Sequence, residues 1–206
     1  MNDLRCTSCG GSLQVANRFI RVVVCPYCSS NYLVSGSDTL DPSGASASLA
    51  DQPSRLAVGA RGTLRGREFT VLGRARYRYD AGFWDEWQVG WTDGAPPDWL
   101  EEDEGYWTLF RRERLRGAVP PPDAVQVGAS VPVNSSTLFV TEKRRGRLAG
   151  TEGQFASTLP LREEFVYVQG GADGRAMCLT YWADEIELSV GEDVGHDELA
   201  LAGEQR

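Results

Sequence analysis

The sequence predicts a mainly β protein: a small four-cysteine ribbon followed by an antiparallel β domain. Three observations carry that prediction. Apolar residues between positions 56 and 191 recur with a period of two rather than 3.6. Turn signals (Asp80-Ala81-Gly82, Asp93-Gly94, Gly170-Gly171 and Asp173-Gly174) separate the alternating runs. Two Cys-X-X-Cys pairs stand near the start of the chain, fifteen residues apart.

Residues 1–34 contain Cys6-Thr-Ser-Cys9 and Cys25-Pro-Tyr-Cys28. Two intervening residues let both sulfurs of a tight turn converge on one ion, and the distance between pairs is that of a two-knuckle zinc ribbon. Four thiolates close a tetrahedral shell with no position left for water. Cys6, Cys9, Cys25 and Cys28 are therefore expected to hold a structural Zn2+. The rivals are a redox dithiol pair, which needs a strand–helix setting that the segment lacks, disulfides, and iron, which four thiolates can also hold. Strands are expected over Ser12–Val15 and Phe19–Val24. So short a segment has little core, and the metal should supply most of its folding free energy.

Residues 35–55 are rich in Ser, Gly, Ala, Asp and Pro without apolar periodicity, which reads as a flexible linker. Residues 56–191 carry all six tryptophans. In Glu68–Asp80, the alternation puts Phe69, Val71, Ala75, Tyr77 and Tyr79 on one face and Arg74, Arg76 and Arg78 on the other. In Phe83–Trp91, Asp85 shares a face with Phe83, Trp87, Val89 and Trp91, opposite Trp84, Glu86 and Gln88. A carboxylate so placed needs a partner, and an arginine from 74–78 or 111–116 is expected. Tyr106–Phe110, Glu164–Gln169, Met177–Trp182 and Glu185–Val190 are further strand-like runs.

Val58-Gly59-Ala60 and Val127-Gly128-Ala129 each open a strand-rich block. Residues 56–116 and 124–191 thus read as repeats, two small barrel-like or sandwich-like units packed together because each alone buries little. Residues 192–206 form an acidic tail, frayed or a short helix over Asp197–Leu201. No amphipathic helix is evident.

The inventory disfavours many reactions. His196 is the one histidine and Lys143 the one lysine, so histidine-based triads and lysine-dependent chemistry are poorly supplied. No enzyme activity is expected. Cys178, in an apolar run, reads as a small buried hydrophobe. The net charge of −8 opposes polyanion binding through the global field. Arg111, Arg112, Arg114 and Arg116, and Lys143, Arg144, Arg145 and Arg147, read as solvated or salt-bridged faces, with nucleic-acid binding the first alternative. The run Asp98, Glu101, Glu102, Asp103 and Glu104 reads as a solvated hairpin tip. With Asp85 and Glu86 it supplies the second alternative, a polyamine- or cation-binding or enzymatic carboxylate site. No stretch approaches 18 uncharged apolar residues and the start of the chain lacks a signal-peptide core, so a cytoplasmic protein without a transmembrane segment is expected.

The main domain resembles a bacterial family described as a domain of unknown function. The resemblance rests on Val58-Gly59 with Phe69–Gly73, Phe83-Trp84-Asp85-Glu86-Trp87, Asp93-Gly94 and Trp99-Leu100-Glu101, and continues in Glu152-Gly153-Gln154, Tyr181 and Glu187–Gly191. It implies an N-terminal zinc ribbon before a β-rich module. It also implies association with polyamine-synthase-like, flotillin-like and phage-shock-like envelope proteins: an accessory factor in membrane stress, peripherally linked to a membrane-associated complex. It assigns no catalytic residue. The leading expectation is a non-enzymatic adaptor whose ribbon is tethered to a tryptophan-rich domain that binds another protein. Trp84, Trp87, Trp91 and Trp99, or Glu163 and Glu164, are the candidate contact residues.

Overall fold

A computed structural model of the chain describes residues 4–35, 39–45, 49, 54–159 and 164–203. In the ribbon, β1 (Leu4–Arg5) pairs with β2 (Ser12–Leu13) around the first cysteine knuckle, and β3 (Val22–Val24) pairs with β4 (Ser30–Ser35) around the second. These strands are shorter than the sequence suggested, because neighbouring backbone is drawn to the β domain. The Ala16 amide donates to Gln154 Oε1 at 2.8 Å, and the Arg21 amide to the Phe155 carbonyl at 2.7 Å. Inside the stretch read as a linker, β5 (Thr39–Ala45) pairs with β4. The free edge of β4 supplies backbone partners, so these polar residues need no apolar periodicity to become a strand.

The β domain contains β6 (Arg61–Leu64), β7 (Arg67–Arg78), β8 (Phe83–Trp91), β9 (Asp98–Asp103) and β10 (Tyr106–Glu113). After a connector with one 3₁₀ turn (Pro122–Ala124) come β11 (Ser130–Val133), β12 (Ser136–Phe155), β13 (Glu164–Ala172), β14 (Arg175–Tyr181) and β15 (Ile186–Val194), then β16 (Leu199–Leu201). Each five-strand block is a meander. β10 pairs with β15, and β12 pairs with β7 as well as β13. The ring β7-β8-β9-β10-β15-β14-β13-β12 therefore closes on itself. The two blocks make one eight-stranded barrel rather than two separate units, because each four-strand arc alone would leave two open edges.

The blocks are alike in detail. The Gly59 amide donates to the Val71 carbonyl and the Val71 amide to Ala60; Gly128, Val140 and Ala129 repeat both bonds. Each long strand then carries a one-residue bulge, at Leu72 in β7 and Thr141 in β12. The bulge overturns one expectation. A strict alternation would keep Phe69 and Val71 with Ala75 and Tyr77, but the extra residue flips the face. Phe69 and Val71 lie in an outer core with Trp87, Val89, Trp91, Leu100 and Trp107, whereas Ala75 and Tyr77 lie in the core of the barrel interior. Leu72 itself is buried among Cys6, Leu13, Ile20, Val23, Cys25 and Tyr32 of the ribbon.

β3 extends the sheet beside the end of β12, and Val22 and Val24 share a cluster with Phe155 and the interior rings. The ribbon is thus packed on the barrel. β16 pairs with β6 and buries Leu199, so the tail is neither helical nor frayed there: the open edge of β6 captures it as a strand. No helix among the described residues is long and apolar enough to cross a membrane.

Candidate functional site

Two constellations stand out. In the first, the Sγ atoms of Cys6, Cys9, Cys25 and Cys28 all lie within 4.8 Å of one another. The knuckles are built alike. The Gly10 amide donates to the Cys6 carbonyl and the Ser29 amide to the Cys25 carbonyl, each from a left-handed residue (φ 76° and 57°). Cys6–Cys28 and Cys9–Cys25 sulfur separations are 3.5 and 3.7 Å. A tetrahedral ion with metal–sulfur bonds of about 2.3 Å needs edges of roughly 3.8 Å, so the donor set fits.

Electrostatics favour the same reading. Burial opposes ionisation of Cys6, but the Tyr32 hydroxyl at 3.1 Å and the Cys9 and Ser8 amides outweigh it and bring the thiol to about 6. The side chain and amide of Ser30 lower Cys28. At Cys9 the Gly11 amide favours the thiolate, yet the crowding Cys6 and Cys28 sulfurs push it up to about 12. Burial raises Cys25. A dication removes this mutual repulsion and lets all four bind as thiolates.

The second constellation is the barrel interior. Inward positions alternate along every strand and surround a cavity of about 70 Å³. A water needs roughly 10–15 Å³ of such space, so the cavity has room for several waters or one small polar group. Its wall combines rings with carboxylates. Tyr77 stacks on Trp84 (centroids 5.2 Å apart), Trp84 meets Tyr167 edge-on (5.2 Å), and Phe165 packs against Trp182 (4.4 Å). Glu86, Glu101, Asp103, Glu142 and Glu187 face the same space.

Glu86 on β8 and Glu101 on β9 are directly opposite in register. Like charges so placed repel. Burial raises Glu86 to about 7 despite a hydrogen bond from Trp84 Nε1 at 3.2 Å. Burial, then the charges of Glu86, Asp103 and Glu142, push Glu101 well above the usual carboxylate range. Burial, then Glu104 and Glu142, raises Asp103, whose Oδ1 is buried without a hydrogen-bond partner. The lining guanidinium, of Arg112, is committed to Glu187 at 2.9 Å.

The residues singled out from the sequence fall into different places. Asp85 does not join Glu86: it faces outward, where Arg74 and Arg76 donate to it at 2.7–2.8 Å, all three side chains being buried. The expected arginine partner is therefore present twice over, and Asp85 leaves the candidate carboxylate site. The 98–104 run is likewise split. Glu101 and Asp103 point inward, while Glu102 accepts hydrogen bonds from Trp87 Nε1 and Ser54 Oγ outside, and Glu104 sits in the β9–β10 turn. Trp84, Trp87, Trp91 and Trp99 are 8, 0, 7 and 7% exposed. Trp84 and Trp99 line the cavity, and Trp87 and Trp91 fill the outer core.

The 111–116 arginine cluster does not form one face, because alternation sends Arg111 to Asp98 outside and Arg112 to Glu187 within. Glu164 begins β13; Glu163 lies outside the described residues. Cys178 lines the cavity, and burial pushes its thiol up to about 12. Sequence reasoning missed Glu142, Gln169, Thr180 and Glu187 as lining residues, since alternation tells two faces apart without saying which one the barrel encloses.

The fold and these sites define a class: a closed eight-stranded β-barrel with a charged, aromatic interior, carrying a four-cysteine centre able to hold a metal ion. Residues 57–196 match the model of a domain of unknown function, DUF4178. The chain belongs to that family. No curated protein and no solved structure matches it.

Proposed function

We propose that the barrel is a receptor for a small organic cation and that the ribbon is a structural zinc module braced against it. One observation carries the receptor reading: Glu86 and Glu101 oppose each other inside a ring-lined cavity whose guanidinium is already paired with Glu187. An ammonium group there gains charge-assisted hydrogen bonds to both carboxylates and cation–π contact with the rings. It also offsets the burial that raises the two carboxyls, so binding displaces a proton from the pair. The barrel is of the size that holds side chains or one small ligand, which points to an ammonium or short alkylammonium rather than a macromolecule.

Calorimetry of the intact protein with putrescine, spermidine and tetramethylammonium tests this. At least one should bind, releasing protons in buffers of differing ionisation enthalpy, and should slow alkylation of Cys178. Glu86→Gln with Glu101→Gln should abolish all three effects. Absence of binding by every cation, or binding unchanged in the double variant, rejects the receptor. For the ribbon, metal analysis should find about one zinc per chain, lost in Cys6→Ser with Cys25→Ser; a metal content that the substitutions leave unchanged rejects that assignment.

A further inference from the structure

The two halves close the ring differently, and the difference leaves a notch in the wall. β12 runs past Arg147 and pairs with β7 from Arg147↔Arg78 to Gly153↔Gly73, whereas β7 stops at Arg78 and turns into β8. Over residues 143–146, β12 consequently pairs with β13 on one side and, among the described residues, with no strand on the other. A groove of about 550 Å³ lies over this open edge, bounded by the Tyr79-Asp80 turn and the start of β13.

Its charge is unbalanced. Arg147 and Arg78 are directly opposite across the seam, and Arg145 follows on the same face of β12. All three are exposed, and none has an ion pair among the described residues. The other cations of the groove are committed. Lys143 Nζ donates to the Pro122 and Val125 carbonyls, and Arg144 bridges Glu142 and Asp80. Asp80 and Glu164 are the groove's carboxylates; Glu164 on β13 is opposite Arg147 in register, but neither carboxylate lies within ion-pair distance of Arg78, Arg145 or Arg147, so three guanidiniums face one neighbouring, uncommitted carboxylate.

Like charges held opposite across a strand pair are destabilising, and a bound anion turns that repulsion into attraction. We infer that this notch binds a phosphate monoester group, held by the guanidiniums of Arg78, Arg145 and Arg147. Guanidinium forks match phosphate oxygens, a dianion calls for more than one of them, and the open edge of β12 offers amide donors alongside. The site is separate from the cavity and does not rest on the cation reading.

The experiment uses the full chain. Inorganic phosphate is titrated against chloride at constant ionic strength while the melting temperature is followed. In parallel, the protein is sedimented with phosphatidylcholine vesicles with and without phosphatidic acid. Phosphate should raise the melting temperature saturably, and Arg145→Gln with Arg147→Gln should weaken that response about tenfold or more. Phosphate-competed sedimentation with phosphatidic acid identifies a lipid headgroup as the source; a phosphate response without sedimentation identifies a soluble monoester. Both outcomes support the site. Because the residues are exposed, the double variant should melt at or above the wild-type temperature without phosphate. Glu101→Gln should leave the phosphate response unchanged. No response to phosphate or phosphatidic acid, or an equal response in the double variant, overturns the inference.

Discussion

In the first half of the barrel the bulge residue, Leu72, is buried in the ribbon's core; its counterpart in the second half, Thr141, is exposed. Around Leu72 the outer core contains Trp87, Trp91 and Trp107 beside the buried Arg74–Asp85–Arg76 triad. The second half packs Val131, Val133, Leu138, Val140, Val168, Leu179, Leu188 and Val190 at the same level, a largely aliphatic core. The entry hairpin, its two cross-strand backbone bonds and the bulge are nevertheless the same. Backbone geometry set by turns, bulges and alternation tolerates very different fillings, provided each half buries its outward face and leaves no edge open. The opposed carboxylates Glu86 and Glu101 belong to the first half, which is also where buried charge accumulates, whereas the ribbon spans both halves: it buries Leu72 of the first and pairs β3 with the end of β12 in the second.

Removing that charge should have the largest effect. Asp85→Ala removes the carboxylate that two buried guanidiniums share, leaving Arg74 with Glu152 at 3.5 Å, and should cost about 3–5 kcal/mol in urea melts. Leu179→Ala in the second half should cost about 2–5 kcal/mol through its cavity alone. The two differ in kind: Asp85→Ala should worsen at low salt, where arginine–arginine repulsion is unscreened, and Leu179→Ala should not. Matching salt dependences would break the contrast between a charged and an aliphatic outer core.

Leu72→Ala should cost about 2 kcal/mol, the low end for a buried leucine, and should expose the ribbon to proteolysis. Thr141→Ala should stay within about 0.5 kcal/mol. If the two substitutions prove equivalent, the bulge does not anchor the ribbon.

Acidity separates the halves further. Burial raises Glu86 from 4.5 to about 7 in the fold and raises Glu101 further. The unfolded chain ionises first as pH rises, so this contribution to stability is fully present below pH 4.5 and is lost as pH climbs through about 7. Melting temperature should therefore fall between pH 5 and pH 8 in the free protein, and Glu86→Gln with Glu101→Gln should flatten that slope. An unchanged slope would locate the titration elsewhere.

The smallest effect concerns turns. Hairpins close through two left-handed residues at Arg65-Gly66 (φ 51° and 74°) and Glu104-Gly105 (φ 48° and 85°) in the first half and at Asp173-Gly174 (φ 51° and 75°) in the second. Asp tolerates that conformation better than Glu, so Glu104→Asn should gain about 1 kcal/mol or less. A loss would mean that the exposed glutamate serves another purpose.

Much of this was legible in the chain itself. The Cys-X-X-Cys spacing picked out the four cysteines whose sulfurs the fold brings together, because knuckle geometry is local: two residues of turn set where two sulfurs point. Alternation placed Asp85 on an apolar face, and the cost of burying a bare carboxylate called for an arginine, which Arg74 and Arg76 supply. The matching Val-Gly-Ala segments foreshadowed two alike entry hairpins. Other features depended on partners distant in sequence. Whether residues 39–45 and 199–201 become strands depends on the free edges of β4 and β6, since neither segment has a strand pattern of its own. The face change at Leu72 follows from one unpaired residue, which no periodicity announces.

What the sequence by itself determined, then, are the β class, the cysteine centre and the two faces of each strand, all products of local geometry and of the solvation cost of buried charge. Only the tertiary structure decided which face is enclosed. The pairing of β7 with β12 and of β10 with β15 curls two meanders into one ring, and ring closure is a long-range event with no local signature. By that closure Glu86 and Glu101 became opposed groups inside a barrel rather than charges at a hairpin tip.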